Sequence, residues 1–293
     1  ELPPPKEPLC PWPAAACVAY SAVMLVAMPW ALLYHGVSTR WSSPSQEEVW
    51  HAKVAILLVF SALITEMCFL ASSATNATYL GFNLPDALQR HRRGDSAFTL
   101  SEYTMKVIAA TYMGFCGGGV VHTDLFAWGG PRPVYLARFW QWSIAVPILI
   151  IISNRPFLTN CNAREVALRC APAVVAAFLF CWASWIMEVT PSPGVRWGMM
   201  FMSFFGAALA SLDQLHLAFS HRNEELFGWK MSMLTYQLVS FVFYSAVFLC
   251  GRFDVFNSLT EQCMYAYCDA SVKVFQGAML AMIRNRQDLH VMR

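Results

Sequence analysis

The sequence predicts an all-α membrane protein of eight spanning helices. Two observations carry this. The chain of 293 residues is 57% hydrophobic and only 13% charged, with a mean hydropathy of +0.44. Soluble domains run near about 25% charged, so roughly half the usual charge is missing. The hydrophobic residues also fall into eight separated stretches, each close to the ~20 residues a helix needs to cross a bilayer. A formal net charge of +2 is too small to point to nucleic acid. The 10 cysteines are scattered, many inside apolar stretches (Cys68, Cys116, Cys170, Cys181, Cys250), with no C-x-x-C pair. They read as buried thiols, with neither a metal site nor a disulfide framework.

The first residues, ELPPPKEPLCPW, are Pro-rich and non-helical, a segment 1–13 placed in the cytoplasm. The first apolar span, Ala14 to Tyr34 within a segment 14–36, lacks a leading basic region and a small-residue cleavage site, so it reads as a retained helix. The next spans are Val49–Ser72, Ser101–Val121, Pro133–Ser153, Arg164–Met187, Arg196–Phe219, Trp229–Cys250 and Glu261–Ile283. One set of linkers is rich in basic residues, among them Lys6, Arg90, Arg92, Arg93, Arg155, Arg222 and Arg284. The other set has mainly Arg40, Lys53, Arg132, Arg196 and Arg252. The positive-inside bias places both termini in the cytoplasm, which an even number of spans requires. The same topology puts Asn76-Ala77-Thr78, a glycosylation pattern, in the cytoplasm and out of use. The long basic linker 73–98, with its HRRGD, is a solvated loop. The chain begins without Met and ends on a charged, helix-like tail, which fits a piece of something longer.

The last span carries the chemistry. It is almost wholly apolar between Cys263 and Ile283, yet holds Asp269 and Lys273 near its middle. An intramembrane charge costs about 2.5–3.5 kcal/mol on insertion scales and is functional by default. The i,i+4 spacing puts amine and carboxylate on one helix face. Two readings fit these residues. One is a salt bridge inside a helical bundle. The other is a lysine held in an apolar pocket to condense with an aldehyde, the aspartate balancing the resulting charge. The fourth span, PVYLARFWQWSIAVPILIIISNR, puts Arg138, Gln141, Trp142, Ala145 and Val146 on one stripe. An arginine there must face a cavity or a carboxylate, and Asp269 is the obvious acid. Pro147 can kink the helix beside it.

The run P-x-Y-x-A-R-F-x-x-W-x-x-x-x-P at 133–147, after a Gly-Gly loop, together with Asp269-x-x-x-Lys273, resembles the third and last helices of microbial (type 1) rhodopsins. The resemblance covers about residues 49–285 and implies a seven-helix retinal-binding bundle with one additional N-terminal helix. By position it implies that Lys273 bears all-trans retinal as a Schiff base and that Asp269 is the counterion. Arg138 would sit beside them on the extracellular side, and Trp142 would wall the polyene. Gln141, Ala145 and Val146 take other positions of that helix. Phe241, Tyr244 and Phe248 form an aromatic stripe on the seventh span, which would be ordinary core without the resemblance. Ser203 on the sixth span and Tyr112 on the third complete the expected pocket.

The departures are informative. Gln141 stands where a proton pump of the family has its carboxylate acceptor, and a glutamine cannot accept a proton. Ile152 stands where pumps keep a cytoplasmic donor. Channel relatives line their pore with several glutamates on the second family helix, where this chain has Glu102 alone. The triple glycine 117–119 reads as close helix packing. Glu66 is an intramembrane acid that reads as a hydrogen bond within the bundle or to a dimer partner in preference to a relay role. Asp213 and His216 read as reaching the cytoplasmic interface, and Glu261 as interfacial.

Eight spans without a pump relay or pore resemble the enzyme-rhodopsins, in which the bundle is fused to a cyclic-nucleotide phosphodiesterase or guanylyl cyclase. The resemblance implies a photoreceptor in a eukaryotic plasma membrane, a homodimer, and a C-terminal cytoplasmic effector whose linker begins at 286–293. No catalytic residue of such an enzyme lies in these positions. The alternative is a light-gated ion channel or a channel-fused rhodopsin.

Overall fold

The computed structural model describes residues 12–37, 41–79, 96–123, 132–158, 161, 163–223 and 225–291. The Pro-rich start, most of the 73–98 linker and the last two residues of the tail lie outside them. Eight long helices account for most of the described chain: α1 (Trp12–His35), α2 (Gln46–Tyr79), α3 (Ser96–Cys116), α4 (Leu136–Asn154), α5 (Ala163–Val189), α6 (Pro193–Ser220), α7 (Phe227–Arg252) and α8 (Ser258–Val291). Each expected span falls on one helix, with ends displaced by a few residues.

Helices α2 to α8 pack neighbour against neighbour, and α8 closes on α2, so the seven form a ring. Helix α1 stands outside it, against α5 and α6. Its inner face is Cys17, Tyr20, Met24 and Ala31, all 3% exposed or less, while Val26 and Leu33 on the outer face are 71% and 82% exposed. Residues three, four and seven apart share a helix face, which is why this set buries together. Tyr20 is seated over Gly206 of α6, where a Cβ would come within 2.4 Å of the tyrosine ring. Outward apolar residues of this kind suit a lipid surface. Among the described residues, six helices are long and apolar enough to cross a membrane by length and composition. Helices α3 and α8 complete the ring despite carrying Glu102 and Lys106, or Glu261, Asp269 and Lys273.

The turn after α3 meets the expectation of close packing and adds a cap. The helix ends at Cys116, Gly117 and Gly118 turn the chain, and Gly119 packs against α4. Gly118 has φ +94°, a left-handed conformation that favours glycine, and Gly119 N–H donates to Gly114 C=O at 2.8 Å. A Cβ on Gly119 would lie 2.8 Å from Ala137 Cβ, so the cap backs directly onto α4. The chain then enters a small antiparallel sheet of β1 (Trp41–Ser42), β2 (Val121–Thr123) and β3 (Arg132–Val134), with Val121 opposite Val134 and Trp41 opposite Thr123. Strand β3 delivers the chain into α4 two residues after Val134, fixing where Arg138 sits.

Candidate functional site

The site is built where α4, α7 and α8 converge inside the ring. On α8 the side chains of Asp269 and Lys273 are each 8% exposed, with Nζ 3.8 Å from Oδ1. The amine also donates to the Asp269 backbone carbonyl at 3.4 Å, held by its own helical turn. From α4, Arg138 Nη1 lies 3.4 Å from Asp269 Oδ2. From α7, the Tyr244 hydroxyl donates to Asp269 Oδ1. One carboxylate thus serves two cations and a phenol, as the stripe on α4 and the pair on α8 anticipated.

Arg138 is 1% exposed. Its guanidinium lies 5.7 Å from the Trp142 ring and 5.8 Å from the Tyr265 ring, so aromatic faces supply part of the solvation that water has lost. Trp142 meets Tyr265 edge-on at 4.9 Å, and Tyr265 stacks on Tyr244 at 5.9 Å. Arg138 Nε and Nη2 and both amide atoms of Gln141 are buried without a hydrogen-bond partner among the described residues. Buried polar groups in a folded protein are nearly always paired, so this concentration of orphans marks a place built for something more than packing.

A largely apolar cavity extends from this cluster through the middle of the ring. Its wall includes Trp142, Ala145, Val146, Ser203, Phe241, Tyr244 and Phe248, with Asp269 and Lys273 along one side. Nine of the twelve residues expected at the site therefore border one cavity. Arg138 and Gln141 lie behind it rather than on its surface. Tyr112 is elsewhere, packed against the cluster of Ile56, Val59, Ile108 and Phe115 between α2 and α3.

The same bundle is found in solved structures. The transmembrane domain of Salpingoeca rosetta rhodopsin phosphodiesterase superposes with a TM-score of 0.60 at 15% identity, over 97% of this chain and 99% of that one. The light-driven proton pump LR (Mac) of Leptosphaeria maculans gives 0.60 at 15% identity, over 79% and 93% of the two chains. The red light-activated channelrhodopsin Chrimson gives 0.59 at 12% identity, over 86% and 82%. No family model matches the sequence, and no curated protein matches it. The chain has the microbial-rhodopsin fold.

Within this rhodopsin fold several site residues were missed in the sequence. Tyr265 lies four positions before Asp269, on the same face of α8, and that spacing was the available signal. Ser184 of α5 pairs with Ser203, oxygen to oxygen, at 2.6 Å. At the end of the cavity away from Arg138, Glu66, Ser101, Thr104 and Gln276 form part of the wall. Glu261, in the first turn of α8, is 3% exposed. It meets Arg252 at 3.3 Å and accepts from the Tyr265 hydroxyl at 3.1 Å, while Arg252 also reaches Glu188 at 2.9 Å. Arg252, counted in the sequence as a loop charge, ends α7 with its side chain 8% exposed. Two carboxylates and one guanidinium close the bundle at the Arg138 end. Neither Glu188 nor Arg252 gave a periodic signal, because they come from helices far apart in sequence.

Proposed function

We propose that this chain is a retinal-binding photoreceptor, the sensory light-input domain of a light-regulated cyclic-nucleotide enzyme, and not a proton pump. The observation that carries the reading is Lys273, an amine buried mid-helix at the wall of an apolar cavity with one carboxylate beside it. The wall suits an elongated, rigid, apolar aldehyde: Trp142 and Phe248 offer flat faces, and Ala145 and Val146 leave width between them. Retinal bound as a Schiff base, expected as the all-trans isomer, supplies light absorption and an isomerising double bond.

The residues of the chain do the rest. Lys273 Nζ forms the covalent link. Asp269 balances positive charge on that nitrogen, and Tyr244 and Arg138 hold the carboxylate in place. Gln141 cannot take the proton that a pump would hand outward, and Ile152 cannot supply one. Helix α8 runs without a break from Lys273 to Val291, so a displacement at the lysine can pass along a rigid rod toward whatever follows. Support for the enzyme-linked form comes from coverage: the phosphodiesterase domain matches 97% of the chain, against 79% for the fungal pump. The membrane-embedded homodimer and the C-terminal cytoplasmic effector belong to this proposal.

Adding retinal to the purified apoprotein should give a visible band that Lys273→Ala abolishes. A pigment retained in that variant sinks the assignment. Voltage-clamped cells expressing the chain separate the sensory reading from the light-gated channel: no photocurrent is expected, and a reproducible one would favour the channel.

A further inference from the structure

One buried acid has no part in the reading so far. Glu66 of α2 is 2% exposed and borders the same cavity as Lys273. Its hydrogen bond comes from Ser101 of α3, Oγ to Oε1 at 3.2 Å. No cation lies within ion-pair distance of it among the described residues. Gly277 of α8 is pressed against it: a Cβ there would lie 2.8 Å from Glu66 Cγ and 2.9 Å from its Cα. The glycine thus lets α2 and α8 close around the carboxyl about one helical turn beyond Lys273. Gln276, 3% exposed, borders the cavity at the same end, with both amide atoms unpartnered among the described residues. Of the charged groups bordering the cavity, Lys273 and Asp269 come from α8. Helix α3 presents Ser101 and Thr104, and α4 presents Ile148, Leu149 and Ile152.

A carboxylate buried without a cation against it is costly, and such a group takes up a proton instead. We propose that Glu66 holds a proton and exchanges it with the nitrogen of Lys273, from the side of that nitrogen away from Asp269. This rests on the retinal reading of the cavity. In the step, the Glu66 O–H bond breaks and its electron pair stays on the oxygen. When the Lys273 nitrogen carries no proton, its lone pair takes the Glu66 proton and an N–H bond forms. A neutral pair becomes a carboxylate and a cation facing each other across the cavity. The Ser101 hydroxyl, already on Oε1, receives the carboxylate, and Gln276, bordering the same cavity, can hold a relaying water between the two groups. The reverse transfer restores the start, with no further reactant. Glu66 on α2 thereby fills a role for which α4, with Ile152, has no proton to offer.

Infrared spectra of the chain without retinal test the resting state. Wild type should show a deuteration-sensitive carboxylic acid band that Glu66→Gln removes and Ser101→Ala shifts. After retinal is added, the flash-induced visible change should recover about 100-fold more slowly in Glu66→Gln, the lower end for a positioned proton donor. Glu66→Asp should restore most of the rate. If Glu66→Gln removes no such band, or recovers at the wild-type rate, the assignment is overturned and the retinal reading stands. A wild type that takes up no retinal removes both.

Discussion

Asp269→Asn keeps the side chain's size and removes its charge, which isolates the electrostatic role of the carboxylate. Lys273 Nζ lies 3.8 Å from Asp269 Oδ1. At about 4 Å, a pair of unit charges contributes about 4 kcal/mol at an effective dielectric near 20. Each 1.36 kcal/mol is about tenfold in proton affinity, so the Lys273 nitrogen should hold its proton roughly a thousandfold less tightly in the variant. Arg138 adds to the effect. It loses its own partner at 3.4 Å, and its unbalanced charge then opposes protonation of the nitrogen. With retinal bound, the variant should be mostly deprotonated near neutral pH and absorb in the ultraviolet. Gln141→Glu should do the opposite, adding an anion that strengthens protonation and moves the band to shorter wavelength. The assay is a spectroscopic pH titration of wild type and both variants. An Asp269→Asn pigment that titrates at the wild-type midpoint would refute the single-counterion account.

Three further outcomes are expected. Illuminated vesicles should show no sustained proton translocation, because Gln141 stands where a pump has its acceptor, whatever Glu66 donates; a steady, uncoupler-sensitive pH change would overturn this. A tag ahead of Pro11 should label only from the cytoplasmic side, and labelling from outside intact cells would refute the topology. Gly206→Ala should lower thermal stability by about 1–3 kcal/mol, the cost of overpacking a filled site. The cause is the Tyr20 ring, only 2.4 Å from where the new Cβ would stand; a double variant with Tyr20→Ala that regains nothing would place the cause elsewhere.

The sequence by itself determined the eight helices, because a bilayer leaves the backbone no partner but its own turn and so demands runs of about 20 apolar residues. It also determined Lys273, Asp269 and Arg138, since charges are conspicuous in apolar spans and each must find a partner. The stripe of Phe241, Tyr244 and Phe248 was legible as one face, but nothing local said that it faced a cavity and not a packed seam. Tertiary structure decided that, along with what no periodicity encodes. Tyr112 sits on a well-formed helix whose rotation turns it away from the cavity. Gly117 to Gly119 look like a packing motif within an apolar run; Gly119 does pack against α4, and only the fold shows the left-handed φ of Gly118 that adds a cap. Glu261 gave no sign of its partners in the sequence, and Arg252 and Glu188, from two other helices, bury it. Glu66 was visible as an acid hydrogen-bonded within the bundle, and Ser101 is that partner. Its place beside Ser101, Gln276 and Lys273 depends on the closure of α8 onto α2, a contact between the two ends of the ring that only the folded bundle brings together.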